Sequence, residues 1–409
     1  MKNEYEFVVV GSGAGGATVA KELSQRGRRV IVVEKGNREE SVGTFRDALR
    51  YYDASKLLKV PRKSREGVVL WRTVMAGGST MVSCGNGTRA LEAELAELGI
   101  DLTDEFREVE DELGVAPLNV QLLSPGGQRL RESAAEVRYR FEPMPKFIDQ
   151  EQCLRCSHCT LGCRIEAKWT ALDPLKAAEQ AGAEVRYGID VESVIIEDGI
   201  ARGIQGMGPE GPVEIRGETT VLAAGALGTP VILQRSGIEA GNGLFVDLFV
   251  NVYGVADVSM AREPQMSLVD REFHDTEGFI LSPFLHIPRE VRFIEAGVRG
   301  AVLPLDRTLG LMVKITDERT GRVDATGTVS KGVTGQDQDR LDAGVAIAKE
   351  ILIEAGARPD SIIVTKVQGA HPGGTAAIGE VVDRELRTSV EGLYVADASV
   401  LPESAALPP

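Results

Sequence analysis

The chain is poor in the residues that usually carry chemistry: 409 positions hold four histidines and five cysteines, and aromatics make up 5%. No run reaches the roughly 18 apolar residues that a membrane helix needs, so a span is not expected. Basic side chains are outnumbered, 46 against 61, and the net charge of −15 makes a poor partner for nucleic acid or an anionic membrane. The opening segment MKNEYEF has no apolar stretch after a basic start, so a secretory signal is not expected and a cytoplasmic, reducing setting is. Five cysteines spread as four plus one do not read as a disulfide framework. What is present is ordinary: 43% hydrophobic and 26% charged residues, and enough length for two or three domains.

Along the chain, the apolar run Phe7 to Val10 leads into a glycine-rich turn, a helical stretch over Ala17 to Gln25, and the buried-strand pattern Arg29-Val-Ile-Val-Val-Glu34. Leu91 to Leu113 reads as an acidic, solvated helix, and prolines and glycines are frequent from about 116 to 150. Residues 174–182 read as helix and 184–223 as strands, with turns at Glu197-Asp-Gly and Gly208-Pro-Glu-Gly. Residues 244–330 read as mostly β, Gln338 to Glu354 as helix, and the remainder from 362 as strand and glycine loop.

Gly11-Ser-Gly-Ala-Gly-Gly16 fits G-x-G-x-x-G between a strand and a helix. Glycines there let backbone N–H groups approach a pyrophosphate, which the helix N-terminus favours electrostatically. Glu34 ends the second strand, 23 residues after Gly11, where a carboxylate can accept from ribose hydroxyls. A dinucleotide is therefore expected. Val221-Leu-Ala-Ala-Gly225 and Gly392-Leu-Tyr-Val-Ala-Asp397 favour FAD over NAD(P).

With these stand Ala76-Gly-Gly-Ser-Thr-Met-Val-Ser-Cys-Gly-Asn-Gly-Thr-Arg89, the stretch Gly225 to Ile238, and His371-Pro-Gly-Gly-Thr-Ala-Ala-Ile-Gly379 followed by Val381-Val-Asp383 and Gly392 to Pro402. In that order these segments resemble the glucose–methanol–choline (GMC) flavin oxidoreductases, in a short variant. The resemblance implies an α/β fold: a Rossmann-like FAD-binding domain from 1–95, 170–250 and 365–409, with a smaller α+β substrate domain from 96–169 and 251–364. It assigns Gly11, Gly13, Ala14, Gly16, Glu34, Gly78, Ser79, Ser83, Val191, Ala224 and Asp397 to the cofactor. It makes His371 the catalytic base, taking a hydroxyl proton as hydride passes from an alcohol or polyol carbon to flavin N5. A neutral imidazole suits that task. Two positions depart from the family pattern: Ser83 stands where many members have Asn, and Pro408 where a second His or Asn is usual. His158, His274 and His286 are the remaining imidazoles.

Cys153, Cys156, Cys159 and Cys163 are spaced C-x2-C-x2-C-x3-C, the bacterial ferredoxin run. The spacing points to a [4Fe–4S] cluster, with zinc as the alternative and two disulfides disfavoured. Arg164 rather than proline follows the fourth cysteine, and Cys84 is a substitute ligand or a small apolar filler. A cluster beside a flavin suits a dehydrogenase that passes electrons to a protein carrier such as a ferredoxin. A reductase fed by a reduced carrier and an electron-transfer subunit of a larger complex are the alternatives.

Overall fold

The computed structural model describes residues 5–54 and 61–407. Its two main sheets follow from two kinds of apolar run. In the first, Tyr5–Val10 lies parallel to Val30–Val33 on one side and to Gly211–Leu222 on the other, and Leu393–Val395 extends the parallel set. Glu184–Arg186 pairs beyond Val30–Val33. Gly211–Leu222 also returns antiparallel through Ile200–Gly208 and Asp190–Glu197, so it serves the parallel set at its end and a meander at its start. Val30–Val33 is buried throughout, as strands covered on both faces must be. Helices Ala14–Gln25 and Leu172–Gln180 pack together over this sheet.

The second sheet runs Phe279–Pro283, Thr308–Ile315, Leu248–Val255, Gln368–Gly369, Val69–Leu70, with Ile363–Val364 also pairing Leu248–Val255. Its long strands, Leu248–Val255 and Thr308–Ile315, are buried at every position. Helix Gly335–Glu354 starts on a capping box, Thr334 with Asp337, and covers the sheet, Gly344 admitting the Val313 side chain. Val69–Leu70 and Gln368–Gly369 lie in segments expected to serve the flavin domain, yet they complete this sheet. Two-residue strands carry too little periodicity for the sequence to assign them.

The acidic stretch after Leu91 forms two helices, Glu92–Glu97 and Thr103–Leu113, rather than one. Helix Arg289–Ala301 stands where strands were expected; Gly297, with φ of 65°, interrupts it and breaks the helical pattern of its sequence. No helix among the described residues is long and apolar enough to cross a membrane.

Candidate active site

The glycine turn is built by close approach. A Cβ on Gly11 would stand 2.2 Å from Ala223 O, one on Gly15 1.8 Å from Ala396 O, and one on Gly16 2.0 Å from Gly11 O. These contacts press the turn against the ends of two parallel strands. A Cβ on Gly13 would meet nothing within 4 Å, so the turn is open there, at the N-terminus of helix Ala14–Gln25. Glu34 is buried and bound through both oxygens: Oε2 accepts from Ser12 N at 2.9 Å and Ser12 Oγ at 2.7 Å, and Oε1 from Gly36 N at 2.7 Å. At the opposite edge Asp397 accepts from Gly225 N at 2.9 Å and Ser399 N at 2.8 Å; burial pushes its carboxyl above the usual range.

One cavity of about 770 Å³ joins these groups. Of the expected cofactor residues Gly11, Gly13, Ala14, Glu34, Gly78, Ser79, Ser83, Val191, Ala224 and Asp397 line it, together with His371; Gly16 packs behind the turn. The open turn, the helix N-terminus and the two carboxylates fit a dinucleotide with a flavin. Substituting Gly15→Ala is expected to strip the bound flavin, read as a collapsed ratio of visible to ultraviolet absorbance in the purified protein.

At the far end of the cavity His371 meets two groups that sequence reading did not find. Its Nδ1 lies 2.9 Å from Asp247 Oδ2 and 2.8 Å from Lys314 Nζ, and Lys314 and Asp247 are themselves 2.8 Å apart. Lys314 stands opposite Phe249 in the strand register, which places it diagonally from Asp247. Both are almost fully buried, at 2% and 1% side-chain exposure, while His371 keeps 37%, facing the cavity it lines. Burial works to raise the Asp247 carboxyl, but the Lys314 charge and the His371 hydrogen bond hold it well below the usual range. Burial and the Lys314 charge push His371 down, against the pull of Asp247. Burial also lowers Lys314, offset in part by Asp247. Ser404 Oγ donates to Asp247 Oδ1 at 2.6 Å and holds the carboxylate from behind.

The signal for these residues was present. Leu244-Phe-Val-Asp-Leu-Phe-Val250 and Leu309-Gly-Leu-Met-Val-Lys-Ile315 are apolar runs with one charge each, of opposite sign. A lone charge in a fully buried strand needs a partner. Pro408, where a second His or Asn was sought, lies outside the described residues. Among the described residues, Lys314, far upstream in the chain, flanks His371.

The remaining histidines divide. His158 sits in the cysteine loop and His274 bonds Asp275 and the Ala405 carbonyl. His286 lines the cavity.

The four cysteines of the ferredoxin-like run do not stand as an assembled ligand set among the described residues. Cys156 is exposed and Cys153, Cys159 and Cys163 are half-buried, and among the described residues no three His, Cys, Asp or Glu side chains stand together to hold a metal ion. Neither the [4Fe–4S] cluster nor zinc finds an assembled ligand set. The residues between the cysteines take the inward positions instead. Ser157 Oγ bonds the carbonyls of Ala261 and Glu263 at 3.1 and 2.8 Å, Thr160 N bonds Gln265 Oε1 at 3.0 Å, and the Tyr51 and Tyr52 hydroxyls hold the Leu161 and Thr160 carbonyls. Spacing alone cannot foresee those anchors. Cys84 lines the cavity, and burial pushes its thiol up to about 12, the behaviour of an inert filler.

Two sequence profiles described as GMC oxidoreductase match the chain, one over residues 5–249 and its C-terminal counterpart over residues 317–409. An uncharacterised protein of Methanocaldococcus jannaschii is 29% identical, covering 99% of this chain and 95% of its own. An uncharacterised GMC-type oxidoreductase of Mycobacterium tuberculosis is 31% identical over 97% of this chain and 72% of its own. The crystal structure of pyridoxine 4-oxidase from Mesorbium loti superposes with a TM-score of 0.74, covering 99% of this chain and 96% of that one at 18% identity, a likeness of fold.

Proposed function

Because the chain belongs to the GMC oxidoreductases, we propose that it is an FAD-dependent oxidoreductase acting on a CH–OH group, with His371 as the proton acceptor. The observation that carries this reading is the buried Asp247–Lys314–His371 cluster opening onto the dinucleotide cavity. Bound FAD supplies the hydride acceptor. Gly11, Gly13 and Ala14 would take its pyrophosphate at the helix N-terminus, Glu34 its adenosine ribose, and Asp397 and the Gly78–Ser83 turn its flavin end.

The triad decides what the imidazole can do. One Nδ1 cannot both donate to Asp247 and accept from Lys314. When Lys314 donates to Asp247, Nδ1–H also donates to that carboxylate and Nε2 offers its lone pair to the cavity. In that form His371 accepts a hydroxyl proton, and Asp247 stabilises the imidazolium that results. When Nδ1 instead accepts from Lys314, Nε2–H faces the cavity and donates to a carbonyl or alkoxide, as the reverse reaction requires. Lys314 and Asp247 are thus positioning residues. The walls around them, Phe249, Met266, Phe284 and Met312, are apolar and keep water from the reacting carbon.

A second reading makes the enzyme a dehydrogenase with an iron–sulfur centre at Cys153, Cys156, Cys159 and Cys163 that serves a protein carrier such as a ferredoxin. One observation favours it. Two buried lysines, Lys146 and Lys168, lie within electrostatic reach of the Cys84 and Cys159 sulfurs. Lys146 Nζ donates to Cys84 O, Asn86 Oδ1 and Gln265 O, and Lys168 Nζ to Met81 O and Ser83 O, none of them a carboxylate. Two buried lysines that, among the described residues, hydrogen-bond no carboxylate suit an anionic neighbour. That centre would require the four thiols to be drawn together from their present positions.

Both readings are tested on one anaerobic sample. The first expects primary and secondary alcohols to bleach the bound flavin; a flavin that stays oxidised with every alcohol in a broad panel would overturn it. The second expects about four irons with labile sulfide per flavin; FAD without iron would remove it and leave the first untouched.

A further inference from the structure

The cavity holds a second imidazole, built differently from the first. His286 is 6% exposed and donates through Nδ1 to Glu295 Oε1 at 3.0 Å. Glu295 is 1% exposed and bound on every side: Asn251 Nδ2 reaches Oε1 at 2.9 Å, Gln368 Nε2 reaches it at 3.2 Å, and the Tyr253 hydroxyl reaches Oε2 at 3.0 Å. Burial works to raise this carboxyl, but His286 and the other donors hold it below the usual range, so it is ionised and accepts only.

An ionised acceptor against Nδ1 fixes the tautomer. Nδ1 carries the proton, and in the neutral ring Nε2 carries a lone pair. Among the described residues nothing bonds that Nε2. The wall that holds His286 is itself tied together: Trp71, also lining the cavity, donates through Nε1 to Gln368 Oε1 at 2.6 Å, and the His286 ring packs edge-on against Phe284 with centroids 4.7 Å apart. Four hydrogen bonds to one buried carboxylate, spent on orienting a ring that forms no further bond, make a built acceptor site.

Its place in the fold gives its relation to His371. Asp247, which orients His371, and Asn251, which braces Glu295, are four residues apart around one strand, at most about 13 Å at roughly 3.3 Å per residue. Between these anchors Phe249 presents an apolar side chain to the cavity. The part of the cavity between His371 and His286 is therefore polar at each imidazole and apolar at Phe249.

We propose that His286 Nε2 accepts a hydrogen bond from a second hydroxyl of the substrate, so that the enzyme selects an apolar diol: one hydroxyl at His371 and the flavin, the other at His286. This rests on the alcohol-oxidising reading above, and the test is made on binding so that the two can fail separately.

The probes are a series of α,ω-alkanediols and the matching primary alcohols, titrated calorimetrically into the FAD-loaded protein. At the best chain length the diol is expected to bind about tenfold more tightly than its alcohol, the worth of one hydrogen bond made in place of an orphaned acceptor. In His286→Phe, which keeps an aromatic against Phe284, that advantage should vanish while alcohol binding holds. A wild-type measurement covers the case in which the variant does not fold. With only four histidines, the His286 Nε2 nitrogen resonance can be assigned, and it should shift on adding diol and stay still with alcohol. Equal binding of diols and alcohols at every length, an advantage that survives in His286→Phe, or a silent resonance would each overturn the proposal. None of these results depends on turnover, so a diol that binds but leaves the flavin oxidised would count against the alcohol reading alone.

Discussion

Replacing His371 by asparagine should slow alcohol-driven flavin reduction by about 10²–10⁴-fold, the range for losing a positioned general base. Asparagine keeps a polar side chain beside Asp247 and Lys314, so FAD content and melting temperature should stay near wild type while the stopped-flow reduction rate falls. The wild-type pH profile carries the same assignment. His371 is pushed below its ordinary value of 6.5 by burial and the Lys314 charge, so the neutral, proton-accepting form persists below that pH. The midpoint of the acid limb of reduction should therefore lie below pH 6.5. A decline centred above 6.5 would show that another group, or an unperturbed histidine, sets the rate.

The second large effect is expected at Lys314. Lys314→Met removes the only cation, among the described residues, in contact with Asp247 apart from His371. Breaking a buried pair in this way costs about 3–5 kcal/mol. Here the cost should depend on pH, because His371 can take up the missing charge. Without Lys314, burial still lowers the ring and Asp247 still raises it, so its pKa moves up from the wild-type position. Compared with wild type, a histidine whose folded pKa is moved up costs the fold less in acid and gives no such relief once pH is above that folded value. The variant should therefore be least stable in alkaline buffer and recover part of the loss in acid, as urea midpoints would show. The acid limb of flavin reduction should move to higher pH than in wild type. A uniform loss of stability with an unmoved limb would reduce Lys314 to a packing element.

What the sequence discloses and what it hides follow from how far apart the interacting residues lie. The dinucleotide turn is local: glycines, helix start and acid sit within one strand–turn–helix–strand unit, so the local fold from Gly11 to Glu34 is legible in the sequence. His371 stood out because a glycine loop surrounds it. Lys314 and Asp247 are half legible: a single charge in an apolar run signals a buried partner, but only the register of Leu248–Val255 with Thr308–Ile315 shows which one. His286 was opaque, its partner Glu295 lying on a helix that Gly297 interrupts. The cysteine run is read from its spacing alone, and no assembled metal site among the described residues answers it. Its spacing is strongly patterned, but spacing does not record that Ser157 and Thr160 take the inward bonds.

The first sheet also bears on how the protein is made. Tyr5–Val10 can pair early with Val30–Val33, but its other edge waits for Gly211–Leu222, and that strand in turn waits for Leu393–Val395. At a synthesis rate of roughly 5–20 residues per second, the interval from first strand to last is on the order of tens of seconds. During that time an apolar strand edge is open to mispairing with other nascent chains. On the assignment proposed above, the flavin pocket combines the turn after the first of these strands with the aspartate after the last, so FAD would be captured only once synthesis has passed Asp397. Cofactor loading would then act as a late checkpoint on the newborn chain, and yield in a host cell should follow chaperone supply before it follows flavin supply.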